Sequence, residues 1–253
     1  VTRNYVTLLT QLPRESSSKE VDSAVLSVIG YPAFAVRDKA VRDKTRAEIL
    51  GKLRGRYGCR RFLRDGHQCV NEDSTRLFYN HRELKEFENL ECEWPLFFTY
   101  LILDGLFTGN HKQAKEYFDA ISPLLIDSVS MNFINADSDS EKAAPTAGHT
   151  PLIPELFYVP ADRLDAERAN PHSQERKPND NLPLVWANSL YFLGCLIRDN
   201  LLEPAEIDPL GRRFNALRDS ERDNLVQIVL LSESVDLQQR LRAHGVETET
   251  FEQ

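Results

Sequence analysis

The chain has 253 residues, of which 41% are hydrophobic and 28% are charged, and its net charge at pH 7 is −8. This length allows a sizeable core in one or two domains. An acidic chain without a basic stripe does not favour a nucleic-acid or membrane-surface partner, because it offers no counterion release. No apolar run reaches the ~18 residues that a membrane span needs. The chain does not begin with Met, so we expect it to be a fragment of a longer protein.

Cysteine and histidine usage gives no sign of a metal or redox site. The four cysteines, at positions 59, 69, 92 and 195, are scattered and form no C-x-x-C pair. This usage is typical of reduced thiols in the core of a cytoplasmic protein. The histidines lack metal-ligand spacing and no Gly-rich phosphate loop is present, so no metal and no cofactor are predicted.

Apolar residues at helical spacing predict the first elements. Residues 19–29 form one such stripe, and residues 39–53 form a second that Asp38 caps. Residues 94–107 are apolar on nearly all sides, which predicts a buried inner helix.

The second part of the chain again combines buried helices with amphipathic ones. Gly109 ends the buried helix, and Asn110 caps an amphipathic one. Residues 184–197 show the buried pattern again. Buried helices that alternate with amphipathic ones indicate an all-α fold, with an inner ring of helices wrapped by an outer ring.

Two segments depart from the helical pattern. Residues 135–150 are small, polar and interrupted by Pro and Gly, which predicts a flexible surface insertion. Residues 225–253 begin with a β-type run, continue as an amphipathic helix and end with a short second run. This order predicts the start of a β-α-β unit in a second domain.

Three loops that precede buried helices combine carboxylates with aromatic residues. They are FLRDG at 62–66, ECEWP at 91–95 and LIPELFYVPAD at 152–162. Inverting glycoside hydrolysis needs a carboxylic acid and a carboxylate about 6.5–9.5 Å apart, so these loops are candidates for a sugar site.

Two of these loops also have a structural interpretation. Glu91 and Glu93 could complement the dipole of a helix that starts at Pro95, and Arg64 could pair with Asp65 in a turn.

A purely structural role suits His172 better than it suits Glu155. Glu155 lies between Pro154 and Leu156, so its carboxylate must be buried with partners or face a cavity. His172 is interpreted as a loop residue.

Longer motifs carry a family resemblance. They include GRYGCRRFLRDGH, NLECEWPLFFTYLILDGLFTGN, EIDPLGRRF and the segment from PELFYVPAD to LPLVWANSLYFLG. These motifs resemble the regulatory α/β subunits of phosphorylase b kinase and their bacterial relatives, which are glycoside hydrolase family 15-like. The resemblance covers nearly the whole chain except residues 135–150. It implies a glucoamylase-like (α/α)6 toroid, of which residues 1–214 would form the C-terminal half, because about twelve helices need roughly 350–400 residues.

The same resemblance implies roles for particular residues. Glu155 matches the position of a glucoamylase general base, whereas the general acid lies earlier than this chain. The substrate-binding residues implied by the resemblance are Arg64, Asp65, Glu93, Trp94 and Trp186.

The resemblance implies a regulatory or scaffold subunit in glycogen metabolism, with an α-glucan or oligosaccharide pocket. Its partners would be a kinase catalytic subunit and calmodulin, and in the eukaryotic family a C-terminal lipid site outside this chain would add peripheral membrane association. The chain itself carries no kinase motif. Two alternatives stay open: an active inverting α-glucosidase, and a glucan-binding module that has lost turnover.

Overall fold

The computed structural model describes residues 20–127, 150–213 and 230–250. The chain divides into two compact units, Val1–Asp219 and Ser220–Gln253. In the described residues helices predominate and each strand is only two residues long, so the fold is mainly helical, as the sequence predicts. No described helix has both the length and the apolar character that crossing a membrane requires.

The first unit contains seven α-helices among its described residues. They are α1 (Leu26–Ile29), α2 (Lys39–Leu53), α3 (Leu96–Thr108), α4 (His111–Ile121), α5 (Leu164–Ala169), α6 (Val185–Arg198) and α7 (Pro204–Ile207). Short 3-10 turns occupy Ser23–Val25, Glu83–Phe87, Ser122–Leu124 and Ala161–Arg163. Two antiparallel pairs complete this part: β1 (Ile126–Asp127) with β2 (Pro151–Leu152), and β3 (Phe157–Tyr158) with β4 (Lys177–Pro178).

Helix α2 confirms its prediction, whereas the helix predicted at 19–29 is wrong in its first part. The Asp38 carboxylate accepts the first amides of α2, as an N-cap should. Residue Asp22, in contrast, forms an antiparallel bridge with Phe62. This long-range pairing holds the backbone extended at Asp22, so helical structure begins only at Ser23.

Helix α3 is the core of the first unit. Every residue from Leu96 to Phe107 is buried, which confirms the predicted inner helix. Helices α4 and α6 both pack against it. Gly105 permits the approach of α4, since a Cβ there would lie 2.7 Å from the Ala114 nitrogen. Gly109 then ends the helix with a left-handed φ of 68°.

Helix α6 is buried on one face only, so its predicted burial on all sides is wrong. Its inner face meets α3, where a Cβ on Gly194 would lie 2.9 Å from the Ile102 side chain. On the opposite face, Val185, Phe192 and Leu196 are exposed. The described residues therefore leave an apolar helix face uncovered.

The cysteines are free, as predicted. Cys59, Cys69 and Cys92 are buried, while Cys195 is partly buried.

The described residues of the second unit follow a β-α-β order. Strand β5 (Leu231–Ser232) pairs in parallel with β6 (Glu249–Thr250), and α8 (Val235–Ala243) connects them. Ser234 caps α8, because its hydroxyl accepts the Leu237 amide. The predicted run at 225–229 lies outside the described residues, as does the predicted insertion at 135–150 apart from its last residue.

Candidate functional site

A cleft of about 420 Å³ opens in the first unit, beside the entrances to α3 and α6. Its walls are mainly apolar and aromatic, with few polar side chains, which is the composition and size of small-molecule sites. The aromatic side chains are Phe62, Trp94, Phe97, Tyr100 and Trp186, and the polar ones are Asp22, Ser27, Arg61 and Glu155.

Glu155 lies on the wall of this cleft, between β2 and β3. Its Oε2 accepts hydrogen bonds from the side-chain amides of Asn179 at 2.8 Å and Gln68 at 3.0 Å. Burial by itself would raise the pKa of Glu155, but these hydrogen bonds, with those of Asn181 and the charge of His67, outweigh it and lower the pKa. The carboxylate is therefore ionised at neutral pH and can accept a proton or a hydroxyl hydrogen bond.

Arg61 supplies the cationic group of the cleft, and sequence reasoning missed it. Buried Asp65 accepts two hydrogen bonds from the guanidinium, 2.5 Å from Nε and 2.7 Å from Nη2. The guanidinium also lies over the Trp94 ring, 5.1 Å from its centroid. Asp65 does not line the cleft itself but fixes the orientation of an arginine that does.

Arg64 points elsewhere, and the interpreted Arg64–Asp65 pair is wrong. Arg64 forms an ion pair with Glu88 at 3.2 Å. Its own amide donates to Glu91 Oε1 at 2.7 Å, and its φ is 61°. The left-handed backbone turns this residue toward a second cavity of about 190 Å³, which Glu88 and Glu91 also line. Arg64 is thus outside the walls of the main cleft.

Glu93 is buried outside the cleft, and its carboxylate contacts groups from distant parts of the chain. Its carboxylate accepts the Tyr57 amide at 2.7 Å and lies 3.3 Å from the Arg176 Nε and 3.7 Å from the His172 Nδ1. Burial would raise the pKa of Glu93, but His172, Arg176 and the Tyr57 amide lower it instead. Gly55 makes room for this group, since a Cβ there would lie 2.1 Å from the carboxylate.

The backbone of Glu93 joins the entrance of α3 to the Glu155 segment. Glu93 and Phe157 exchange two hydrogen bonds, of 3.0 and 2.8 Å, and Phe157 lies two residues after Glu155. The interpretation of Glu91 and Glu93 as helix-dipole partners is wrong, because α3 begins at Leu96 and has no acidic residue in its first turn. Both carboxylates accept backbone amides from the loop after α2 instead.

The two tryptophans line the cleft from different elements. Trp94 is 7% exposed, stacks on His67 and has an indole N–H without a hydrogen-bond partner among the described residues. An unsatisfied buried donor costs about 1–3 kcal/mol. Trp186 is 56% exposed at the start of α6 and meets Tyr100 edge-on, with ring centroids 6.2 Å apart.

The predicted site residues therefore separate into two groups. Trp94, Glu155 and Trp186 share the cleft, with Asp65 directly behind it, whereas Arg64 and Glu93 lie outside its walls. His172 is a loop residue, as interpreted. Within the described residues, no group of three or more His, Cys, Asp or Glu side chains is arranged to hold a metal ion.

Comparison with known proteins identifies the family of the chain. The model of glycosyl hydrolases family 15 matches residues 18–227. The chain belongs to this family.

Curated relatives that match the chain include regulatory subunits of a kinase. The chain is 47% identical over 244 residues to phosphorylase b kinase regulatory subunit alpha, skeletal muscle isoform, of Rattus norvegicus. It is 46% identical over 243 residues to the liver isoform of Takifugu rubripes, and 40% identical over 246 residues to the probable alpha subunit of Caenorhabditis elegans. These alignments cover 96–97% of the chain but 18% of each relative, so the chain spans about a fifth of their length. The resemblance that the sequence motifs carry is thereby confirmed.

Proposed function

We propose that the chain is part of a regulatory subunit of a kinase, like its relatives, and that its family 15 domain binds an α-glucan in glycogen metabolism. The observation that carries the sugar-binding part is the cleft, where an ionised Glu155 faces aromatic walls. Aromatic faces bind the apolar faces of sugar rings, while carboxylates and guanidinium groups bind their hydroxyls. A site of this size accommodates one or two glucose units.

Five residues in and directly behind the cleft have proposed roles. Glu155 accepts hydrogen bonds from sugar hydroxyls, and Arg61 donates to them in an orientation that Asp65 fixes. Trp94 and Trp186 supply the apolar aromatic surfaces that face the sugar. Arg64 and Glu93, which lie outside the walls, have no direct contact with sugar in this proposal.

The domain architecture is also part of the proposal. Residues 1–214 would belong to an (α/α)6 toroid, residues 135–150 would form a surface insertion and residues 225–253 would begin a second α/β domain. The enclosure of α3 between α4 and α6 supports an inner-ring position for α3. The exposed apolar face of α6 supports further helices, because closing a ring would cover it.

Hydrolysis is the second candidate function. The position of Glu155 on the cleft wall favours it, since an ionised carboxylate there can take a proton from water as a general base, but the lowered pKa of Glu155 makes it a weaker base. The other carboxylate that lines the cleft in the described residues is Asp22, and its Oδ1 accepts the Ala24 amide as a helix cap. We therefore assign binding to the cleft, and an active inverting α-glucosidase is the alternative.

One titration separates these functions. The full-length protein is titrated calorimetrically with maltotriose and acarbose while glucose release is measured. Binding without release is the expected result. Binding with release would establish the hydrolase, and absence of binding would contradict a sugar site.

The kinase part needs a separate test. The proposed partners are a kinase catalytic subunit and calmodulin, in the cytoplasm. Co-expression of the full-length protein with the catalytic subunit should yield a complex in size-exclusion chromatography. Failure to co-elute would contradict a regulatory-subunit role without affecting the sugar titration.

A further inference from the structure

Gln68 connects the carboxylate of the cleft to a third segment of the chain. Its side-chain nitrogen donates to Glu155 Oε2 at 3.0 Å, and its side-chain oxygen accepts from Asn179 Nδ2 at 2.9 Å. The same Asn179 nitrogen donates to Glu155 Oε2 at 2.8 Å. The Leu156 amide donates to Asn179 Oδ1 at 3.4 Å, which sets the orientation of that side chain. The three side chains therefore close a ring of hydrogen bonds that directs two donors at one carboxylate oxygen.

The backbone of Gln68 favours a different amino acid at this position. The Cys69 amide donates to the Gly66 carbonyl at 3.1 Å, so residues 66–69 form a tight turn with Gln68 in its third position. The φ of Gln68 is 56°, a left-handed value that glycine adopts without the cost that other residues incur. Gln68 is also exposed, so burial of its side chain does not offset this cost. Strained residues of this kind cluster at ligand sites, where the side chain has a role.

The neighbours of Gln68 in this turn contact two other groups of the cleft. Asp65 orients Arg61, and its Oδ1 also accepts the His67 amide at 3.2 Å. The His67 ring stacks on the Trp94 ring, with centroids 6.1 Å apart and an interplanar angle of 19°. Residues 65–68 thus contact the guanidinium, an aromatic wall and the carboxylate of the cleft, all within one short segment.

We propose that Gln68 is a positioning residue of the cleft, which holds the Glu155 carboxylate in the orientation that receives a sugar hydroxyl. This inference rests on the proposed sugar-binding function. Gln68 does not line the cleft, so it acts through Glu155. Without Gln68, the carboxylate keeps the Asn179 donor but loses the ring that fixes both groups. Binding a sugar would then have to order the carboxylate, which weakens the affinity.

The substitution Gln68→Gly in the full-length protein tests this role. Glycine removes the side chain and relieves the left-handed backbone, so the thermal midpoint should not fall. The Kd for maltotriose, measured by calorimetric titration, should nevertheless rise at least about fivefold. The matched control is Asn200→Gly, which makes the same backbone change at an exposed residue after α6, where φ is 57°. This control should leave the Kd within about twofold of wild type.

A second variant, Gln68→Glu, gives a readout that a merely structural role would not change. The new carboxylate can still accept from Asn179, but it faces Glu155 at hydrogen-bond distance, where two carboxylates share one proton. The Kd for maltotriose should therefore rise at pH 7 and return toward the wild-type value near about pH 5, as the pair takes up a proton. The charged groups next to this pair are His67 and Glu72, which accepts the Gln68 amide at 2.7 Å. Wild type and Gln68→Gly, titrated over the same pH range, supply the reference for their effects.

The outcomes separate the positioning role from the sugar-binding function. If wild type binds maltotriose and Gln68→Gly binds it equally well, the positioning role is overturned while sugar binding stands. A lower thermal midpoint in Gln68→Gly together with weaker binding would assign Gln68 to the fold instead. A Kd of Gln68→Glu that follows the wild-type pH profile would also contradict the proposal. If wild type itself does not bind maltotriose, the proposed sugar site fails and the positioning role fails with it.

Discussion

The substitution Asp65→Asn tests whether the cleft depends on an oriented Arg61. Asp65 is buried and accepts two guanidinium hydrogen bonds, at 2.5 and 2.7 Å. Asparagine keeps one acceptor oxygen and places an amide donor against the second guanidinium N–H. Hydrogen bonds to charged groups contribute about 1.5–3 kcal/mol each, and the Arg61 side chain is partly exposed, so we expect a loss of about 2 kcal/mol in the free energy of unfolding.

This loss has two measurable consequences in the full-length protein. The thermal transition that includes this domain should shift down by about 4–8 °C, given about 2–4 °C per kcal/mol for a domain of this size. The affinity for maltotriose should fall about tenfold, because Arg61 would no longer be pre-organised for a sugar hydroxyl. Calorimetric titration and differential scanning calorimetry measure the two effects separately.

The neighbouring arginine provides the control. Arg64→Gln removes a partly exposed ion pair with Glu88 outside the cleft, so stability should change by less than about 1 kcal/mol and affinity should not change. If Asp65→Asn lowers the transition temperature while maltotriose affinity stays at the wild-type value, the assignment of Arg61 to the ligand is refuted. Equal affinity losses in both variants would show that the effect is not specific to the cleft.

Three other predictions concern the residues on and behind the cleft wall. Gly55→Ala should destabilise the fold by more than about 2 kcal/mol in thermal unfolding, because its Cβ would lie 2.1 Å from the Glu93 carboxylate, whereas Gly51→Ala on an exposed helix position should stabilise it by about 0.5–1 kcal/mol. The folded-state pKa of Glu93 is lowered, so its contribution to stability is present above its unfolded pKa of about 4.5 and is lost as the pH falls through the folded value. Thermal midpoints between pH 7 and 3 should therefore fall more steeply in wild type than in Glu93→Gln, and parallel curves would contradict this coupling. Glu155→Gln should change stability by less than about 1 kcal/mol, because its amide oxygen can still accept from Asn179, but it should abolish any glucose release. Loss of the fold would instead mark Glu155 as a structural acid.

The helices that the sequence predicted well are those whose signals are local. The cap at Asp38 and the uninterrupted apolar run of α3 act within a few residues, so periodicity and capping suffice to predict them. The segment at 19–29 was mispredicted because a bridge between Asp22 and Phe62, forty residues apart, decides its conformation. The exposed face of α6 was missed for a related reason, since composition does not reveal how many neighbours a helix has.

Some residues of the candidate site could likewise be predicted from the local sequence, and others could not. Glu155 was predicted from an apolar context that no structural role explained, and the structure places it on the cleft wall with amide donors. Arg61 and Arg64 are three residues apart in one motif, and the sequence does not say which of them faces the cleft. The left-handed backbone at Arg64 decides it, and the i,i+4 spacing of Arg61 and Asp65 was the available signal. The two acids of ECEWP were assigned to a helix dipole because their true partners, backbone amides of the loop after α2, are distant in sequence.

The most direct test of the sugar-binding account is a structure of the full-length protein with acarbose, determined by cryo-electron microscopy. The account predicts ligand density in the cleft between Trp94 and Trp186, with a sugar hydroxyl within hydrogen-bond distance of the Glu155 carboxylate and another near the Arg61 guanidinium. An empty cleft at saturating acarbose, or a ligand held by Arg64 and Glu88 instead, would contradict it.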